Sequence, residues 1–204
     1  MKQKLLGNLN KGIFFVLSAP AGTGKTTLTR MLTKKYPNIV ESISHTTRPP
    51  RKKEKEGVDY FYISDDEFQK MIKANEFLEY AKVFDYYYGT SKKFVEQNLK
   101  NHKHVILVID TQGAEKLKNK IDAIFIFLSP PSMEELKKRM VNRNDLSLEE
   151  IEKRLLWAQE EMKKIRNYDY NITNIDLQIT YDVLKSIIVA EEHKVKYLSQ
   201  RGNN

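Results

Sequence analysis

Three short runs of apolar residues stand out along the chain. They cover residues 13–17, 105–109 and 123–128, and they are nearly continuous in β-branched, aliphatic and aromatic side chains. Runs of this kind are typical of parallel strands that are covered on both faces. Segments with helical periodicity lie between and after them, at 26–35, 92–100 and 180–198. The alternation predicts an α/β fold with a central parallel sheet flanked by helices.

Polar residues mark the starts of further helices. A serine that stands three residues before a glutamate forms a capping box, which is typical of a helix N-terminus. Between residues 38 and 91 the pattern changes, because tyrosines, threonines and short extended runs such as 60–63 become frequent. We expect a small mixed β insertion there. The three capping boxes are Ser64–Glu67, Ser132–Glu135 and Ser147–Glu150.

Composition narrows the class of protein only a little. The 204 residues are 40% hydrophobic and 30% charged, which is ordinary for a globular domain. The chain has no cysteine, so disulfides and thiolate metal sites are excluded. The run at 13–17 is shorter than the roughly 7–15 apolar residues of a signal peptide, and no stretch reaches the roughly 20 of a membrane span. We therefore expect a soluble, cytoplasmic protein.

The net charge of +8, from 35 basic and 27 acidic residues, has several explanations. A basic excess is found in proteins that bind nucleic acid or anionic membranes. It is equally compatible with a small phosphorylated substrate or with a lysine-rich solvated surface. The charge alone does not choose between these alternatives.

The segment from Ser18 to Thr27, SAPAGTGKTT, has the features of a phosphate-binding loop between a strand and a helix. Gly22 and Gly24 permit backbone conformations that turn successive N–H groups inward, and the helix start adds its positive end. The first glycine of the usual pattern is replaced by Ala19, which is small enough if its φ is negative. We expect a nucleoside triphosphate to be bound by Ala19, Pro20, Ala21, Gly22, Thr23, Gly24, Lys25, Thr26 and Thr27.

A magnesium ion is expected beside this loop. The hydroxyl of Thr26 is a possible ligand. Asp110 ends the second apolar run, where a carboxylate can hold the metal or its waters. The alternative role of Asp110 is that of a helix cap.

A second anion site is indicated by the segment Ser44–Arg51, SHTTRPPR. Arg48 and Arg51 stand three apart on a proline-stiffened segment and could hold a dianionic phosphate through bidentate bonds. Further aromatic and polar motifs follow at GVDYF (57–61), FLEYA (77–81) and YYGTS (87–91).

These motifs, together with DTQG at 110–113, resemble guanylate kinase, the enzyme that phosphorylates GMP with ATP. The resemblance extends over about residues 12–192. It implies that Glu79 accepts both the N1–H and the amine of guanine, whereas adenine has an acceptor at N1, and that the Thr90 hydroxyl donates to O6. The GMP site implied by the resemblance consists of Ser44, Arg48, Arg51, Tyr60, Glu79, Tyr88, Gly89 and Thr90.

A second set of arginines is expected in a helical lid. Arg139 and Arg143 are four apart on the helix that begins near Ser132, and Arg154 lies on the next helix. By sequence alone they could be a solvated face that pairs with Glu135 and Glu150. The resemblance implies that they close over the ATP phosphates and that Asn174 lies near the adenine. The expected catalytic residues are Lys25, Arg48, Arg139, Arg143 and Arg154.

The resemblance also suggests boundaries within a single domain of residues 1–204. The core is expected at about 11–37, 92–131 and 167–204, the GMP-binding insertion at about 38–91 and the lid at about 132–166. Some positions depart from the family's usual pattern. Val108 replaces the first aspartate of Asp-x-Asp, Asn142 and Asn144 replace the glycines beside Arg143, and Ile175 replaces an aspartate after Asn174.

The sequence thus predicts ATP-dependent phosphorylation of GMP, and of dGMP, with Mg²⁺ as cofactor. The expected partners are the small molecules ATP and GMP, without nucleic acid or membrane, and a homo-oligomer is left open. Three alternatives are a non-catalytic interaction module of the same fold, another nucleoside monophosphate kinase, and a nucleic-acid-binding protein. The intact Gly24-Lys25-Thr26 sequence and Glu79 argue against the first two. The third rests on the net charge alone.

Overall fold

The computed structural model describes residues 5–52, 54–142 and 147–200. The strands in these ranges are β1 Phe14–Ser18, β2 Ile39–Ser42, β3 His45–Thr46, β4 Phe61–Tyr62, β5 Phe77–Val83, β6 Tyr86–Ser91, β7 His104–Ile109, β8 Ile124–Ser129 and β9 Tyr170–Thr173. The α-helices are α1 Lys25–Lys35, α2 Asp65–Lys73, α3 Lys92–Lys100, α4 Thr111–Leu117, α5 Met133–Val141, α6 Leu148–Lys163 and α7 Leu177–Glu192. Short 3₁₀ helices cover Ile165–Asn167 and Val195–Gln200.

The main sheet is parallel and has the strand order β2-β7-β1-β8-β9. The three predicted apolar strands are its centre, so the expected α/β sheet is confirmed. Phe15 and Leu17 face the cluster that includes α1 and α7, whereas Phe14 and Val16 face the cluster that includes α3 and α4. Because both faces of β1 are covered, its apolar run is uninterrupted.

Strand β2 corrects one predicted boundary. Residues 39–42 were expected to belong to the insertion, but Ile39 pairs with His104 and Ser42 with Leu107 in the main sheet. This edge strand is only four residues long and contains Glu41 and Ser42. Its apolar pattern is therefore too short to reveal its partner, and the second sheet begins after it.

The second sheet has the order β4-β3-β6-β5. The pair β3–β4 is parallel and the other pairs are antiparallel, so the expected mixed sheet is confirmed. Helix α2 covers this sheet through Phe68, whose ring stacks on Phe77 at 4.5 Å and on Tyr87 at 5.2 Å between centroids. A small aromatic core therefore holds the sheet that carries the second group of motifs.

Two of the three predicted capping boxes are complete, at Ser64–Glu67 and Ser147–Glu150. At Ser132 the hydroxyl accepts from the Glu135 N–H, but the Glu135 carboxylate pairs with Arg139 instead of returning to the cap. Helices α5 and α6 pack together through a small apolar cluster. The cluster consists of Leu136, Met140, Ile151 and Ala158.

The predicted helix at 180–198 was wrong at both ends. Helix α7 begins at Leu177 because Asp176 caps it, accepting from the Ile179 N–H at 2.8 Å. Ile179 is exposed, which hides the start from the apolar periodicity. The helix ends at Glu192, and a separate 3₁₀ helix follows.

The end of α7 is tied to the start of the chain by a buried glutamate. Glu192 accepts from the backbone N–H groups of Gly7 and Asn8 at 2.8 and 2.9 Å. It also lies 2.6 Å from Nε2 of His104, whose Nδ1 accepts from the Ile13 N–H at 3.0 Å. The Nδ1 acceptor role leaves Nε2 as the donor to Glu192. Among the described residues, no helix combines the length and apolar character that membrane crossing requires.

Candidate active site

A cleft of about 720 Å³ opens at the carboxyl ends of β1, β2 and β7. This is the edge at which open α/β sheets bind ligands. The second sheet and helix α6 form its other walls. Predicted site residues in its lining are Ala19, Ala21, Gly22, Thr23, Gly24, Lys25, Thr26, Thr27, Ser44, Arg48, Arg51, Tyr60, Glu79, Tyr88, Asp110 and Arg154.

Some predicted residues are not brought to the cleft wall. Pro20 belongs to the loop, where its carbonyl accepts from the Thr23 hydroxyl, Asn174 lies behind the loop, and Thr90 lies behind Glu79. Gly89 is a buried residue of β6, and a Cβ there would lie 2.8 Å from the ring of Phe77. Arg143, together with Asn144, lies outside the described residues.

The phosphate-binding loop has the backbone that its glycines predict. Gly22 and Gly24 have φ of 90° and 106°, whereas Ala19 is not among the residues with positive φ. Alanine therefore fits where the usual pattern has glycine. The Lys25 ammonium donates to the carbonyls of Ala19 and Pro20 and so lies across the mouth of the loop. Helix α1 begins at Lys25 and directs its positive end at the same point.

Asn174 supports this loop from behind. Its Nδ2 donates to the Thr23 carbonyl at 2.6 Å, and its Oδ1 accepts from the Thr180 hydroxyl at 3.0 Å. A Cβ on Gly24 would lie 2.8 Å from the same Nδ2, so the glycine is needed for space as well as for its φ. With both ends of its amide engaged, Asn174 acts on the loop rather than facing a base.

The two predicted lid arginines that the structure describes have different surroundings. Arg154 lines the cleft. Arg139 instead donates through Nε to Glu135 at 3.1 Å and through Nη2 to the carbonyl of Asn174 at 3.1 Å. Arg139 therefore forms the ion pair with Glu135 that the sequence analysis considered as the alternative. Helix α5 rests on the phosphate loop, since a Cβ on Gly22 would contact Leu136 and Met140.

The predicted arginine clamp, Arg48 and Arg51, is organised by a glutamate that the sequence analysis did not identify. Arg48 Nη2 lies 2.9 Å from both carboxylate oxygens of Glu54, and Arg48 Nε donates to the Tyr88 hydroxyl at 3.1 Å. Oε2 of Glu54 also accepts from the Arg51 N–H at 2.9 Å and from the Tyr62 hydroxyl at 2.8 Å. The two arginines and this glutamate leave one net positive charge facing the cleft.

Tyr60 packs against the predicted clamp. The Arg48 guanidinium lies 5.3 Å from the centre of its ring, and the Tyr88 ring contacts it edge to face at 5.7 Å. Burial raises the pKa of Tyr60 to about 12, so its phenol keeps its proton and remains a donor. Guanidinium and phenol donors together suit a phosphate dianion.

Glu79 lies on β5 of the second sheet, lines the cleft and is 7% exposed. Its Oε1 accepts from the Thr90 hydroxyl at 2.6 Å. The single hydroxyl proton of Thr90 is therefore directed at the carboxylate next to it, which differs from the expected donation to guanine O6. A Cβ on Gly113 would lie 2.8 Å from Oε2, so the glycine of the DTQG motif makes room for the carboxylate.

Asp110 has the properties of both roles considered for it. It caps α4 through the Gly113 N–H at 2.9 Å, and it also lines the cleft. Burial raises the pKa of Asp110, while the Gly113 N–H and the charge of Lys25 oppose that rise. The described residues contain no cluster of three or more metal-ligating side chains. A hydroxyl and one carboxylate nonetheless fit Mg²⁺, which keeps several waters and takes other ligands from phosphates.

Glu161 is a further acidic residue in the cleft that the sequence analysis missed. It is 4% exposed, accepts from the Thr111 N–H, and lies within the electrostatic reach of Lys25 and Asp110. Burial raises the pKa of Glu161 to about 7, and the charge of Lys25 opposes this rise. Its spacing of seven residues from Arg154 places both on one face of α6, which is the sequence signal that could have found it.

Two more missed residues come from β2. Glu41 and Ser42 line the cleft, and within the described chain the Ser42 hydroxyl has no hydrogen-bond partner. Glu41 is in register with Ile106, so it shares a sheet face with Val108. A carboxylate on the neighbouring strand therefore accompanies the valine that replaces the family's usual aspartate.

Comparisons with known proteins place this geometry in a family. A family model described as guanylate kinase matches residues 11–191. The chain is 52% identical over 189 residues to the guanylate kinase of Protochlamydia amoebophila, covering 93% of this chain and 96% of the relative. It is 45% identical over 186 residues to that of Caldanaerobacter subterraneus subsp. tengcongensis, covering 91% and 90%.

A solved structure has the same fold. The crystal structure of guanylate kinase from Anaplasma phagocytophilum matches with a TM-score of 0.78 at 37% identity, covering 93% of this chain and 90% of that one. Cleft, motifs and relatives agree, and the resemblance drawn from the motifs is confirmed. The chain belongs to the guanylate kinase family of phosphate-transferring enzymes.

Proposed function

We propose that this protein transfers the γ-phosphoryl group of ATP to GMP, and to dGMP, giving ADP and GDP or dGDP. The observation that carries the proposal is the joint cleft. A phosphate-binding loop forms one end, and the arginine clamp and Glu79 form the other. Two nucleotides can therefore bind with their phosphates facing each other, as transfer between them requires.

Selection of the acceptor rests on Glu79. A buried carboxylate accepts the adjacent N1–H and amine donors of guanine, whereas adenine presents an acceptor at N1. Leaving a buried polar group unpaired with the wrong base can discriminate by roughly 10⁴-fold. The proton from Thr90 occupies one lone pair of Oε1 and keeps the carboxylate oriented for the base.

Transfer depends on positioning and charge neutralisation. The attacking phosphate oxygen is already anionic, so no general base is required. Lys25 and Arg154 face the donor phosphates across the cleft, and Arg48 and Arg51 hold the acceptor phosphate. Preorganised cations of this kind stabilise the charge that is spread over the moving group in the transition state. Arg139 and Arg143 remain predicted contributors from the lid.

Mg²⁺ is the proposed cofactor, and Thr26 and Asp110 would hold it, the latter through water. When bound, the ion neutralises phosphate charge and orients the phosphate oxygens. Asn174 is proposed to support ATP binding through the loop. A cytoplasmic place in purine nucleotide metabolism stays a prediction of the sequence, which leaves a homo-oligomer open.

The test is ADP formation measured with ATP and each of GMP, dGMP, AMP, CMP and UMP. We expect turnover with GMP and dGMP, and loss of about 10³-fold or more in Lys25→Ala, because the cation at the loop mouth is removed. Lys34→Ala, an exposed lysine on the same helix, is the matched control. Comparable rates with AMP would contradict the role of Glu79, and inactivity with every acceptor would favour a non-catalytic binding module.

A further inference from the structure

The tip of the β5–β6 hairpin carries a phenylalanine in an unusual backbone conformation. The turn consists of Phe84 and Asp85, and Phe84 has φ of 53° while its side chain is 49% exposed. Glycine or asparagine ordinarily occupies such a position, and a bulky residue there is an outlier. Conformations of this kind concentrate at functional positions, where the surrounding structure maintains them.

The ring of Phe84 reaches across the cleft to the lid helix α6. Its centroid lies 5.8 Å from that of Trp157, and the Arg154 guanidinium carbon lies 6.0 Å from it. Both distances are within the range of favourable aromatic and cation–π contacts. Arg154 and Trp157 are three residues apart and so share a face of the helix. We call these three residues the aromatic clasp.

The clasp joins the two halves of the site. Glu79 and Tyr88 lie on the two strands that meet at the Phe84 turn, and both strands belong to one hydrogen-bonded hairpin. Any movement of the acceptor-binding sheet therefore moves the ring of Phe84 with it. That ring contacts a cation which faces the donor phosphates.

We propose that Phe84 is a positioning residue for phosphoryl transfer. Its ring holds the Arg154 guanidinium toward the cleft and docks α6 through Trp157, so that Arg154 is in place when the acceptor-binding sheet is in place. This inference rests on the proposed function, because it assigns Arg154 a partner in that reaction. It gives a reason for the presence of a phenylalanine where the backbone favours glycine.

Two variants separate this role from a structural one. Phe84→Gly removes the ring but relieves the turn, since glycine adopts positive φ readily. We expect its melting temperature to be unchanged or higher and its kcat to be lower by about tenfold, with KM for GMP changed by less than about threefold. Phe84→Tyr keeps the ring and should restore kcat. In an Arg154→Ala background, Phe84→Gly should have little further effect.

Trp157 gives a direct readout, because it is the only tryptophan in the chain. GMP added without ATP should change its fluorescence in the wild type and in Phe84→Tyr, but not in Phe84→Gly. The inference would be overturned if Phe84→Gly had the kcat of the wild type, or if GMP changed its fluorescence as it does in the wild type. Either result would leave the proposed function intact. A wild-type protein that does not phosphorylate GMP would overturn both.

Discussion

The hydroxyl of Thr90 lies 2.6 Å from Oε1 of Glu79, and Thr90 is buried behind this carboxylate, which lines the cleft. Burial raises the pKa of Glu79 to about 7, and the hydrogen bond from Thr90 opposes that rise. The carboxylate that would recognise guanine is therefore close to half-protonated at neutral pH. Its proton must leave before both base donors can be accepted.

GMP binding should consequently weaken as the pH falls. With a Glu79 pKa of about 7, KM for GMP is expected to be about tenfold higher at about pH 6 than at about pH 8. The GMP phosphate itself titrates near pH 6, so KM depends on pH for a second reason. Glu79→Gln measures that dependence alone, because the variant lacks the titrating carboxyl. Thr90→Val should move the midpoint to higher pH. A pH profile of KM that is the same in the wild type and Glu79→Gln would contradict the prediction.

Substitution of Asn174 should change the KM for ATP rather than the KM for GMP. Asn174→Ala removes the donor to the Thr23 carbonyl and loosens the loop, so KM for ATP should rise by about five- to tenfold while KM for GMP stays constant. Asn171→Ala, at an exposed asparagine on β9, the strand that directly precedes Asn174, is the control. Equal changes in both KM values would indicate general destabilisation instead.

Glu54 should affect the use of GMP although its carboxylate has no direct role in the proposed reaction. Glu54→Ala removes the carboxylate that orients Arg48, the Arg51 backbone and Tyr62. We expect kcat/KM for GMP to fall by about tenfold, because the clamp loses its geometry. Steady-state kinetics with GMP varied at saturating ATP measures this effect. Glu96→Ala, on the exposed side of α3, should leave kcat/KM unchanged, and a tighter GMP site in Glu54→Ala would refute the orienting role.

Acid stability should depend on Glu192. Although burial alone would raise its pKa, hydrogen bonds from His104, Gly7 and Asn8 lower the pKa of Glu192 to about 2. A depressed carboxyl pKa stabilises the fold above the unfolded value of about 4.5, and this contribution disappears as pH falls toward 2. Near pH 7 the contribution is about 3 kcal/mol. Urea unfolding of the wild type and Glu192→Gln should show this difference at pH 7 and its decline between about pH 4.5 and 2.

The central strands and the phosphate loop could be predicted because their signals are local. Each of the apolar runs of β1, β7 and β8, and the Gly24-Lys25-Thr26 sequence, is contained within a few consecutive residues. The support of the loop could not be predicted in the same way. Asn174 and Thr23 are 151 residues apart, and only packing shows that the amide faces the loop rather than a base.

The acidic residues of the cleft also divide into those with a local sequence signal and those without one. Glu79 was predicted from its motif, whereas Glu41, Glu54 and Glu161 were missed because none of them belongs to a recognised motif, although the spacing of Glu161 from Arg154 is a signal. Their importance comes from neighbours on other elements, such as Val108 beside Glu41 and Lys25 near Glu161. Arg139 was expected over the phosphates, but the carbonyl of Asn174 lies within its reach and competes for it.

The support of the phosphate loop from behind has a consequence for biosynthesis. The loop residues leave the ribosome before Asn174, which follows about 150 residues later, and before Glu192, which anchors Gly7 and is made later still. A nascent chain that ends before β9 contains the whole loop sequence without the amide that holds Thr23. We therefore expect the loop to acquire its nucleotide-binding shape only after the segment that carries Asn174 has been made.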